Sequence, residues 1–143
     1  MNCLPFFPTI AAAAFFVAPP VVAQDETNDG EITEGQQELA ELLEGRVAGE
    51  PQRCIRTLPN RSLNIIDDTA ITYESGDTIY VNYTRNPDQL DDDDTLVIRK
   101  FGTSATQLCR LDNVTAVDRY SGIFSGAIFL TDFVPYEKPE AAE

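Results

Sequence analysis

The sequence predicts a mainly β (α+β) domain: a small antiparallel sheet, sandwich or barrel of about six strands with one N-terminal amphipathic helix. Three observations carry this. From Cys54 onward, short runs rich in β-branched and aromatic residues alternate with turn residues at roughly eight- to twelve-residue intervals. One stretch alone, 36–48, carries helical periodicity. Two cysteines, Cys54 and Cys109, lie 55 positions apart across the strand-rich part.

The chain begins with a segment unlike the rest. Leu4 to Ala23 holds no charge, an apolar run from Ile10 to Ala18 leads into Pro19-Pro20, and polarity changes abruptly at Gln24-Asp25. Val21 and Ala23 occupy the −3 and −1 positions of a small-residue cleavage site, so 1–23 is expected to be a secretory signal peptide cut after Ala23. The competing reading is an uncleaved anchor, since about 20 uncharged residues reach the length of a span. Pro19-Pro20 would break such a helix near its end, and no basic flank follows it. Cys3 precedes the apolar run and leaves with the peptide.

Residues 24–34 read as an acidic disordered leader, polar and without period. A single β-rich domain is expected over 35–136, with a frayed tail at 137–143. Its first element is the helix 36–48, where Leu39, Leu42, Leu43, Arg46 and Val47 draw one stripe broken only by Arg46. Gly49 and Pro51 end it. The strands follow at Ser62–Ile66, Ala70–Glu74, Thr78–Tyr83 and Thr95–Phe101. Leu108–Tyr120 supplies one strand, or two broken around Asp112-Asn113, and Ala127–Val134 makes the last, stopped by Pro135. Ser75-Gly76-Asp77 joins the second and third as a hairpin. The aromatics, from Tyr73 to Tyr136, are expected mostly to fill the core.

Charge narrows the choice of partner. The formal net charge is −14. Residues 24–50 hold nine acids against Arg46, whereas 51–136 hold twelve acids and eight bases, a net of −4. Nucleic-acid binding needs a basic footprint that releases counterions from phosphate, and none is visible. Anionic membrane surfaces are disfavoured for the same reason, and no membrane insertion is expected after processing.

Of the three cysteines, Cys54 and Cys109 remain after the signal peptide is removed. An exported chain meets an oxidising compartment, where such a pair becomes a disulfide. The alternatives are a redox pair, which places its cysteines close in sequence, and a zinc site, which needs about four ligands. With no histidine in the chain, a zinc site would have to draw on carboxylates.

Cys54-Ile55, Ile66-Asp67-Asp68, Ile79-Tyr80-Val81-Asn82, Leu108-Cys109-Arg110-Leu111-Asp112 and Phe133-Val134-Pro135-Tyr136 follow one another in an order that resembles a family of small exported bacterial proteins of unknown function. The resemblance covers Cys54 to Tyr136 and implies location and fold, with no activity attached. Many members of that family carry a further cysteine after the third strand. This chain has Asn86-Pro87-Asp88-Gln89-Leu90 there, which puts any shared bridge pattern in doubt.

Candidate chemistry is sparse. The run Asp88, Asp91, Asp92, Asp93 and Asp94 is the sharpest polar feature, and clustered Asp on a loop suits a divalent cation. The EF-hand spacing is absent, so the same residues also read as a solvated loop. Asp67-Asp68 and Asp112 would serve a carboxylate-based hydrolase if they faced each other across a cleft, and otherwise cap turns. Without histidine the Ser-His and Cys-His nucleophile systems are excluded. No phosphate-binding glycine loop or cofactor motif occurs, and no cofactor is expected. These readings lead to a periplasmic or secreted protein, a non-enzymatic binding or structural module of the cell envelope whose partner is an envelope protein or a small ligand. The alternatives are a small-ligand or divalent-cation binding protein and the carboxylate-based hydrolase.

Overall fold

The computed structural model describes residues 32–100 and 105–139. The expected signal peptide, the leader up to Glu31, the expected strand end at Phe101 and the last four residues of the tail lie outside them. The described chain is mainly β, as the sequence predicts. One helix, α1 (Glu34–Leu42), precedes ten short strands. These are β1 (Val47–Ala48), β2 (Cys54–Arg56), β3 (Asn64–Ile66), β4 (Ala70–Ser75), β5 (Thr78–Asn82), β6 (Asp94–Arg99), β7 (Gln107–Cys109), β8 (Asn113–Asp118), β9 (Phe124–Ile128) and β10 (Phe133–Glu137). They form three antiparallel sheets, ordered β1-β10-β5-β4-β3, β2-β7 and β6-β8-β9.

Helix α1 starts where local chemistry favours it. Thr33 accepts the Gln36 amide, and the Gln36 side chain accepts the Thr33 amide, a reciprocal capping box. The expected helix 36–48 is therefore displaced and shortened. Gly45 adopts φ +70°, a conformation that glycine reaches without steric cost, and the chain turns there before Val47–Ala48 pairs as a strand. Arg46 and Val47 consequently leave the stripe. Arg46 donates to the Asp77 carbonyl and Val47 is exposed. Leu39, Leu42 and Leu43 keep their expected role and pack on Ile66, Ala70, Ile79 and Val81.

The five-stranded sheet is covered on both faces. Ala70, Ile79 and Val81 turn toward the helix, while Ile71, Tyr73 and Phe133 turn toward the other two sheets and meet Ile55, Leu108, Val114, Ala116, Ile128 and Leu130. Burial on both faces explains why β4 shows four consecutive buried residues rather than alternation. At the centre Asn82, fully buried, donates from its Nδ2 to the Thr131 carbonyl at 2.8 Å and accepts the Thr131 amide at 3.0 Å. A buried amide needs such partners, and here they tie β5 to the segment before β10.

Three further expectations change. The single last strand Ala127–Val134 is two, β9 and β10, and Pro135 lies inside β10 rather than ending it. Proline is tolerated because Phe133 exchanges both main-chain bonds with Gln52, which puts the Pro135 nitrogen on the same side, toward the two-residue edge strand β1. The ladder with β5 loses nothing. Glu137, expected in the frayed tail, pairs with Val47. Among the aromatics Tyr73 and Phe133 are core, but Tyr120, Phe124 and Phe129 are exposed.

Candidate functional site

The disulfide predicted from the sequence is present. Cys54 and Cys109 are direct partners across β2 and β7, with Sγ atoms 2.09 Å apart. The Arg110 amide donates to the Arg53 carbonyl beside them, so the cysteines occupy a non-hydrogen-bonded pair, where opposed side chains come closest. The bridge holds β2 against β7 and leads directly into the β2–β3 loop.

That loop forms one wall of a cleft of about 680 Å³. Its apolar lining comes from Leu58, Leu63, Ile65, Tyr73, Leu96 and Ile98, four of which belong to or adjoin the edge strands β3 and β6. Tyr73 accepts the Leu58 amide through its phenol oxygen at 2.7 Å and thereby fixes the loop. Three cations also face the cleft. Arg61 donates to the Glu74 carbonyl at 3.4 Å, Lys100 to the Ala105 carbonyl at 2.6 Å, and Arg119 to the carbonyls of Asp92 and Asp94 at 2.8 and 3.4 Å. Among the described residues none of the three closes an ion pair with a carboxylate, whereas Arg110 does so with Asp132 at 3.0 Å elsewhere. Asp92 and Asp94 line the same cleft, which thus joins apolar side chains to three cations and two acids, an excess of one positive charge.

The acidic run leads into β6, and two of its members, Asp92 and Asp94, also line the cleft. Asp67, Asp68, Asp88, Asp91, Asp94 and Asp118 line an open hollow of about 350 Å³. Carboxylate oxygens of Asp67, Asp91 and Asp92 lie within 4.8 Å of one another, all exposed. Two of these groups already accept main-chain bonds: Asp67 from the Asp92 amide at 2.7 Å and Asp91 from the Asp93 amide at 2.9 Å. Asp94 is buried and accepts the Ser125 hydroxyl at 2.8 Å. Asp88 sits in a short 3-10 turn, Pro87–Gln89. Within the run Asp91 thus caps an amide of its own loop, the role that Asp side chains commonly take beside free amides.

The structure does not bring Asp112 to Asp67 and Asp68. Asp112 accepts the Cys109 amide at 2.8 Å and lines a separate depression of about 220 Å³ with Arg110 and Leu111. Asp118 ends β8, where its carboxylate accepts the Ser121 hydroxyl and amide, both at 2.6 Å, and the Tyr120 amide at 3.2 Å. The Ser121 bonds hold its carboxyl below the usual range. Tyr83 and Tyr136 share a hydrogen bond at 2.9 Å, and burial followed by that bond raises the Tyr83 phenol above its ordinary value.

Sequence reasoning missed the cleft. Its alternating Leu96 and Ile98 were legible as one face of a strand, but nothing in the sequence said that β3 and β6 would border one opening. No helix among the described residues is long and apolar enough to cross a membrane. Compared with protein-family models, curated proteins and solved structures, the chain matches none.

Proposed function

We propose that this is a non-enzymatic binding module of the bacterial cell envelope, exported to the periplasm or beyond, and that it takes its ligand in the cleft between β3 and β6. The observation that carries the reading is the cleft itself: an apolar lining of Leu63, Ile65, Leu96 and Ile98 beside Arg61, Lys100 and Arg119. Ligand sites are concave and mostly apolar with a few polar groups that orient the guest. The uncharged segment before Gln24 and the Cys54–Cys109 bridge support export. The order of motifs from Cys54-Ile55 to Pro135-Tyr136 supports kinship with small exported bacterial proteins of unknown function. The separation of Asp112 from Asp67-Asp68 argues against the carboxylate-based hydrolase.

Amide chemical shifts of the isotope-labelled protein, followed during titration with short peptides, medium-chain acyl carboxylates and disaccharides, test this. One class is expected to move the amides of Ile65, Leu96 and Lys100, and Ser62→Trp, which fills the opening from an exposed position, is expected to abolish the effect. Shifts confined to other surfaces, or none from any class, would remove the cleft as the binding site.

The convergence of Asp67, Asp91 and Asp92 favours a second reading, capture of a divalent cation. A rise in melting temperature with calcium, lost in Asp67→Asn, would support it, because a ligand bound to the native state adds stability by mass action.

A further inference from the structure

We propose that the cleft receives an extended peptide as an added β-strand, one with apolar side chains at alternate positions and carboxylates between them. This rests on the reading of the cleft as the binding site and names the class of ligand.

The Asp118 amide donates to the Ile123 carbonyl, and the Arg119 amide donates to the Asp93 carbonyl. Main-chain groups of successive strand residues point to opposite sides, so Thr95, Val97 and Arg99 face β8 while Leu96 and Ile98 face away from it. The same parity holds on the opposite side. The Thr69 amide donates to the Ile66 carbonyl at the β3–β4 turn, so Ile66 and Asn64 face β4 and Ile65 faces outward, as does Leu63 just before the strand. Both strands are the last of their sheets. Among the described residues, Leu63, Ile65, Leu96 and Ile98 have no main-chain partner beyond the edge. All four line the cleft.

Two open strand edges therefore border one opening, whose lining mixes these apolar side chains with polar ones such as Thr57, Ser62, Asn64 and Thr95. Free N–H and C=O groups in a row are what strand addition uses for affinity, and pockets for alternate side chains supply its specificity. The charges fit a particular guest. Lys100 follows the last residue of β6, Arg119 bonds the carbonyls at its start, and Arg61 stands on the loop opposite. A strand laid along β6 would turn one set of side chains onto Leu63, Ile65, Leu96 and Ile98 and the alternate set outward. Carboxylates in that second set meet Arg61, Lys100 and Arg119, three cations that outnumber the two acids of the same lining, Asp92 and Asp94, and that close no ion pair among the described residues. A small amphiphile would use the apolar lining and the charge but leave the edge amides without partners.

The test is a comparison of three probes on the full domain by amide shifts and amide hydrogen exchange. The probes are the capped peptide acetyl-Val-Asp-Val-Asp-Val-amide, the same peptide N-methylated at alternate residues, and decanoate. The unmodified peptide is expected to slow exchange at the outward amides of Leu96 and Ile98 on β6, or of Ile65 on β3. N-methylation removes the edge bonds and is expected to weaken binding roughly tenfold or more. Arg61→Glu, an exposed loop change, is expected to weaken the acidic peptide and favour its lysine counterpart. Equal affinity of the methylated peptide, or decanoate binding in the cleft without the peptide, would overturn strand addition while leaving the cleft a binding site. Silence from all three, together with failure of the wider ligand panel, would overturn both.

Discussion

The Tyr73 hydroxyl accepts the Leu58 amide at 2.7 Å, joining a fully buried ring to the exposed rim of the cleft. Tyr73→Phe keeps the ring and removes this bond. It is expected to cost about 1 kcal/mol in chemical denaturation. The more specific effect is local: hydrogen exchange at the Leu58 amide should accelerate by more than the loss of global stability accelerates the core β4 and β5 amides.

The Cys54–Cys109 bridge closes a loop of 55 residues. In the chain-entropy model such a loop contributes about 4 kcal/mol, a large part of the net stability of a small domain. Replacing both cysteines with serine should lower the denaturant midpoint by a corresponding amount. A midpoint within error of the parent's would mean that the β2–β7 pair holds without it.

Gly35 gives a prediction whose sign separates two effects. In an exposed helix, Gly→Ala stabilises by about 1 kcal/mol through helix propensity. Here an added Cβ would stand 2.3 Å from the Asp67 carbonyl oxygen and 2.4 Å from Thr69 Oγ1. Overpacking of this kind costs about 1–3 kcal/mol, so Gly35→Ala should destabilise. Thermal melts of the two proteins decide it.

Asp118 predicts a pH dependence. Its bonds to Ser121 and Tyr120 lower its folded pKa below the unfolded value of about 3.9. A depressed carboxylate adds stability that is fully present above the unfolded value and is lost as pH falls through the folded one. The contribution should therefore fade below about pH 4. Carbon-detected titration should place the Asp118 carboxyl below the other exposed aspartates, and Ser121→Ala should bring it back toward them.

Much of the fold was legible because it is local. The Ser75-Gly76-Asp77 turn, with Gly76 at φ +64°, sits where the hairpin was expected, and the break around Asp112-Asn113 separates β7 from β8. The helix boundary was misplaced because Thr33 lies in an acidic run that reads as leader, although its capping pair with Gln36 could have marked the start. Pro135 reads as a strand end in the sequence because the tolerance of a proline depends on which edge its nitrogen faces, a property of the partner strands β1 and β5. The cleft was illegible for the same reason. Leu63, Ile65, Leu96 and Ile98 form one opening only through long-range sheet order.

Intact mass of the protein recovered from its host's cell envelope, with and without reduction and thiol alkylation, tests directly whether this domain is exported and sealed by one bridge. The expected chain begins at Gln24, is lighter by the two hydrogens of the bridge, and takes up alkylating reagent only after reduction. A mass beginning at Met1 with freely alkylated thiols would contradict it.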